Sequence, residues 1–125
     1  NMYMLFYDRE DFNEDISHWN VSNVVDMDMM FCDATSFTGD LSSWDVGQVE
    51  CMIAMFFNAT SFTGDLSSWE VGQVESMDYM FIGATSFTHQ LGGAWPASTA
   101  VKYEMFHNSP GTIAGKVKDA YGTIA

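Results

Sequence analysis

Residues 37–61 and 62–86 align without a gap and are identical at 19 of 25 positions. A period of that fidelity confines the chain to architectures in which one unit stacks on the next, because a lone unit of this size cannot bury its own apolar face. Residues 12–36 keep the same frame. Met2 and Phe6 stand 25 residues before Met27 and Phe31, and Met105 and Phe106 stand 25 after Met80 and Phe81. The frame thus holds a half unit, three full units and a degenerate last one.

Aligned positions separate core from surface. Apolar rows run through Phe12, Phe37, Phe62 and Phe87, through Ile16, Leu41, Leu66 and Leu91, and through Trp19, Trp44 and Trp69. Three more pass through Val21, Val24 and Ala34 and their equivalents, and others through Met27, Met30 and Phe31. Within a unit, Val24, Met27, Met30, Phe31 and Ala34 fall at i, i+3, i+6, i+7 and i+10, the spacing of one helical face. A short helix is expected there, with Ser22 or Asn23 at its start and Asn58 or Gly83 supplying a left-handed turn near its end. The Gly-Asp-Leu-Ser stretch before each Trp reads as a short strand, and identical strands one unit apart would pair in parallel about 4.8 Å apart. The expected fold is therefore α/β, a leucine-rich-repeat-like solenoid of 25-residue strand-plus-short-helix units with a parallel β ladder. Residues 1–11 form a partial first repeat, and 12–91 three full repeats and the start of a fourth. Residues 92–125 form a degenerate repeat, C-terminal cap and tail, because Gly92, Gly93, Ala94 and Trp95 break the pattern and Pro96 and Pro110 cannot donate ladder hydrogen bonds. Asn1 falls mid-unit with no initiating Met, which suggests a piece of a longer chain.

The unit F-x-x-D-[IL]-S-x-W-x-V-x-x-V-x-x-M-x-x-M-F-x-x-A-x-S resembles the BspA-type leucine-rich-repeat surface proteins, whose 25-residue domain-of-unknown-function repeats are known from mycoplasma lipoproteins. The likeness covers Met2 to roughly Phe106. It implies an extracellular or cell-surface location, adhesive or interaction roles, and no catalytic residues.

Charge narrows the partners. Seventeen acidic residues oppose four basic ones for a net −13, and no Lys or Arg lies between Arg9 and Lys102. Such a chain repels phosphate backbones and anionic headgroups, so nucleic acid is excluded as a partner. No apolar run is long enough to span a bilayer as a helix, so no transmembrane segment is expected. His18, His89 and His107 occupy three different rows, and eight of the ten Met residues fall in two apolar rows, so neither set argues for a metal. Cys32 and Cys51 also lie in different rows, so a disulfide between them needs a favourable turn. No cofactor is expected, and the absence of a recurring nucleophile-base pair or a phosphate-binding glycine loop points away from an enzyme.

Two groups remain as candidate binding residues. Asp15, Asp40 and Asp65 form a carboxylate ladder. It would attract a cation or basic partner, or else each Asp accepts from backbone amides in a tight turn. One Asp per unit falls short of the six to eight oxygens calcium requires. Threonine ladders at Thr35 and Thr38 are better explained by turn hydrogen bonds than by ice binding. The second group is Met29, Ile53, Phe57, Tyr79 and Ile82, on the side of the expected helix that should meet solvent and is instead apolar. Such a patch marks a protein or membrane-associated interface, unless a longer chain segment covers it or the helix is rotated so that the patch is core. Two readings follow: a surface interaction module holding a protein or glycan, or a structural scaffold subunit packed into a larger assembly. The latter setting is organellar or membrane-associated, with peripheral contact to a membrane complex.

Overall fold

The computed structural model describes residues 1–125. The expected α/β leucine-rich-repeat-like solenoid of strands and short helices does not form. Regular structure is limited to one 3-10 turn at Trp95–Ala97 and one parallel pair, β1 (Gln90–Leu91) with β2 (Thr112–Ile113); everything else is turn, loop or isolated bridge. No helix is long and apolar enough to cross a membrane.

The helix fails for a reason visible in the backbone. Met30 N–H donates to Met27 O and Ala34 N–H to Phe31 O, each closing a four-residue turn. Met29 and Asp33, the third residues of those turns, have φ of 56° and 60°, a left-handed conformation that stops a right-handed helix. Alternate amides point along the stack: Met27, Met29, Phe31 and Asp33 donate to the carbonyls of Cys51, Ile53, Met55 and Phe57, one unit on, at 2.8–2.9 Å. The same four bonds recur from Met52, Ala54, Phe56 and Asn58 and again from Met77, Tyr79, Phe81 and Gly83. Hydrogen bonds that a helix would close internally thus run between successive 25-residue coils. Consecutive turns also present every third or fourth residue to one side, so Met27, Met30, Phe31 and Ala34 are wholly buried without any helical pitch. The expected caps act differently as well. Ser22 N–H goes to Asn20 Oδ1, while Asn58 and Gly83 do take left-handed φ of 58° and 69°.

The strand expected before each Trp is absent for a second reason. The carbonyl of Leu41 accepts both Trp44 N–H, at 3.1 Å, and the indole Nε1–H of Trp69 from the next coil, at 2.9 Å. Ile16 O is shared in the same way between Trp19 N–H and the Trp44 indole. A carbonyl with both lone pairs taken cannot join a ladder. Leu91 O escapes this, since Trp95 N–H turns to Gly92 O; Ala114 N–H takes it instead, and β1 pairs with β2. Trp95, placed outside the row by its sequence, nonetheless continues it: its ring is fully buried and Nε1–H donates to Leu66 O at 2.8 Å. Parallel bridging between coils occurs elsewhere, as single bridges linking Asp26, Cys51, Ser76 and Val101.

Two rows of stacked rings fill the interior. Phe6, Phe31, Phe56, Phe81 and Phe106 lie 5.4–5.6 Å apart, and each of the first four meets the second row, Phe12, Phe37, Phe62 and Phe87, at 3.9–4.4 Å. Each such ring contributes about 1.5–3 kcal/mol of burial free energy, so adjacent coils are held chiefly by side chains. The C-terminal residues close the stack: Phe106 N–H donates to Gly122 O and Glu104 N–H to Thr123 Oγ1. Gly122 has φ of 79°, and a Cβ there would clash with backbone atoms of Phe106 and His107. Lys102 occupies the next place in the row of Met27, Met52 and Met77, its stem buried and its Nζ donating to Ser98 O and Ala100 O.

Candidate functional site

All nine left-handed residues other than glycine, together with Gly83, gather on one edge of the stack. Met4, Met29, Ala54, Tyr79 and Glu104 share one row of positive φ, and Asp8, Asp33, Asn58, Gly83 and Asn108 share another. None is β-branched, as expected where φ is near 60°. Holding ordinary residues there costs on the order of 1–2 kcal/mol each, and the interlocked coils impose it. Along this edge lies a groove of about 210 Å³, lined by Tyr7, Met29, Asp33, Phe57 and Tyr79, with Cys32 and Ala54 beneath.

Of the apolar candidates, Met29, Phe57 and Tyr79 line the groove; Ile53 and Ile82 do not, though both are half-buried. The side that sequence placed in solvent is neither core nor open surface but an edge in between. Tyr79 is steadied by Tyr103, whose ring meets it edge-on at 5.7 Å. Sequence reading missed Tyr7 and Asp33 as members. Tyr7 was within reach, since it stands 25 residues before Cys32 in the row that continues to Phe57. Asp33 gave no signal, because its neighbours in the row are not carboxylates on both sides. Asp33 Oδ2 accepts from the Cys32 thiol at 3.8 Å. Burial first, then the charges of Asp33 and Asp8, push the Cys32 thiol up to about 12. Near neutral pH such a thiol carries little of the thiolate that nucleophilic chemistry needs, and the charges that raise it make the groove floor electronegative. Cys32 and Cys51 are both free.

The Asp ladder does something else. Asp15, Asp40 and Asp65 are exposed, and each accepts the backbone N–H of the Ser two residues on, at 2.9–3.0 Å. Hydrogen bonds from Ser17 and Ser42 hold the carboxyls of Asp15 and Asp40 below the ordinary value, and the Ser67 amide does so for Asp65. They are turn-forming groups. The Thr hydroxyls bond between coils and not within turns: Thr35 and Thr60 donate to Glu10 O and Thr35 O, and Thr38 to Asn13 Oδ1, each 25 residues back.

A third cluster brings Asp26, Asp28 and Cys51 within 4.8 Å of one another, but its carboxylates are engaged. Asp26 Oδ1 accepts Asp28 N–H, and Asp28 Oδ1 accepts Ile53 N–H from the next coil at 2.7 Å. Burial raises the Asp28 carboxyl, partly offset by the Ile53 amide. Three donors also fall short of a calcium shell.

The amide at this row shows a strict accounting. Tyr3, Asp28 and Asp78 N–H are each satisfied by the side chain two residues back, Asn1, Asp26 and Ser76. At Ile53 and Tyr103 that preceding residue is Cys51 or Val101, which offers no good acceptor, and there a carboxylate from the previous coil, Asp28 or Asp78, takes its place at 2.7 Å.

A family model described as a Mycoplasma protein of unknown function, DUF285, matches residues 1–114. No curated protein and no solved structure matches the chain.

Proposed function

The chain belongs to the DUF285 family, and from that premise we propose that it is a non-catalytic protein-interaction module whose left-handed edge is the contact surface. One observation carries the reading: a groove lined by Tyr7, Met29, Phe57 and Tyr79 stays open on an otherwise well-packed stack. Aromatic and Met side chains of that kind are enriched where proteins bind each other. The finer motif likeness to BspA-type surface proteins supports a cell-surface or extracellular setting. A non-catalytic role is supported by the chemistry of the candidate groups: Asp15, Asp40 and Asp65 are tied into turns, and the Cys32 thiol is pushed up to about 12 by burial.

The test is association at constant stability. Phe57→Ser and Tyr79→Ser chains that melt within a few degrees of the parent should lose a partner that the parent retains on purification from its native source. Retention of that partner by both variants overturns the reading. The scaffold-subunit alternative draws on a different observation, the exposed apolar side chains Val25, Val101 and Tyr103, at 44, 57 and 53% exposure. It predicts that the parent chain self-associates without a partner, measurable by sedimentation.

A further inference from the structure

The groove combines three features that together select a ligand. Its walls are aromatic, from Tyr7, Phe57 and Tyr79, with the thioether of Met29 beside them. Its lining includes the Asp33 carboxylate, and Asp8, which precedes Asp33 in the same left-handed row, acts electrostatically on the same floor. The chain supplies no cation of its own for these carboxylates. No Lys or Arg lies between Arg9 and Lys102. The Lys102 ammonium is held by Ser98 O and Ala100 O, and that of Lys118 by Ser109 O and Gly111 O. Arg9 stands over the Phe12 ring instead, and the exposed Lys116 lies close enough to Lys102 to disfavour that ammonium.

Resting on the interaction reading above, we propose that this groove receives the side chain of an arginine or lysine carried by a basic segment of a protein partner. Aromatic faces attract a cation within about 6 Å, most strongly where water is partly excluded. A long basic side chain also lays its hydrocarbon stem along apolar walls while its head meets a carboxylate. A groove of about 210 Å³ has room for one such side chain and not for a helix. Three of its residues, Met29, Ala54 and Tyr79, are locked at φ of 54–61° by hydrogen bonds between coils, so little ordering remains to be done on binding. The net charge of −13 draws a basic segment toward the surface from a distance.

Fluorescence anisotropy on the intact chain tests this with a nine-residue peptide of alternating Arg and Leu, and a twin in which uncharged citrulline replaces Arg. Diffuse attraction to an acidic protein is separated from the groove by paired variants. Asp33→Asn keeps a residue tolerant of left-handed φ and removes the charge; Asp45→Asn removes an equal charge from an exposed turn. The Arg peptide should bind, the citrulline twin at least roughly tenfold more weakly. Asp33→Asn should weaken Arg-peptide binding roughly fivefold and Asp45→Asn less than about twofold, in line with a partly desolvated ion pair against a solvated one. Equal losses in the two Asn variants, or equal binding of the two peptides, overturn the cation proposal. If the citrulline twin binds as well as the Arg peptide and Phe57→Ser abolishes both, the contact surface stands and only its preference is wrong. If Phe57→Ser changes neither, both readings fall.

Discussion

Removing the Asp28 carboxylate strands the Ile53 amide, whose own coil has Cys51 where Asn1, Asp26 or Ser76 would serve. A part-buried donor left without an acceptor costs about 1–3 kcal/mol, and water reaching this half-buried row brings the expectation for Asp28→Ala to about 1–2 kcal/mol. For a chain of this length that is a fall in melting temperature of roughly 3–8 °C. The structure also supplies the remedy: Ser76 Oγ accepts Asp78 N–H at 3.3 Å in the next coil, so Cys51→Ser places the same acceptor beside Ile53. Urea unfolding of Asp28→Ala, Cys51→Ser and the double variant forms a cycle. The double variant should recover at least about half of the loss, and Cys51→Ser alone should change stability by less than about 0.5 kcal/mol. The pH axis gives an independent check. Burial raises the folded-state Asp28 carboxyl above its unfolded value, so the folded chain holds that proton more tightly. Its contribution is fully present below the unfolded value and is lost as pH rises through the folded one. Asp28→Asn keeps the acceptor and should abolish that decline. An Asp28→Ala chain as stable as the parent, or a double variant no better than Asp28→Ala, refutes the amide accounting.

Trp44→Ala should cost about 3–5 kcal/mol in urea unfolding, since its ring is buried and its indole holds Ile16 O; a loss below about 1 kcal/mol would remove the Trp row from the core. Ala54→Gly should change stability by no more than about 0.5 kcal/mol, because relief of a left-handed φ of 54° offsets the added chain entropy; the roughly 1 kcal/mol loss typical of a helix interior would contradict the turn. Ala54→Val should destabilise by at least about 1 kcal/mol, read in the same assay. Asp15, Asp40 and Asp65 have carboxyls lowered by their Ser partners, so their contribution is present above the unfolded value and lost as pH falls through the folded one. Melting curves of an Asp40→Asn chain should show a smaller acid-side loss than the parent, and an identical loss would separate this turn from acid stability.

The one-dimensional period alone determined the row partners: Phe31 with Phe56, Met27 with Met52 and Trp44 with Trp69 follow from identity at 25-residue spacing, and all six side chains are buried. It also drew Met29, Phe57 and Tyr79 together before any coordinates, because apolar residues off the core rows stand out against a polar background. What the pattern could not distinguish is helix from turn. Apolar residues at i, i+3 and i+7 suit both, and the choice rests on whether amides bond within a unit or to the next one. That depends on the neighbouring coil's carbonyls, which no local window contains. The same holds for the lost strand, where a Trp from the following coil occupies the carbonyl of Leu41, and for Asp28, whose partner lies 25 residues away. Sequence set which coils lie together; hydrogen bonding between them decided the backbone's conformation, and with it the left-handed edge on which the groove opens.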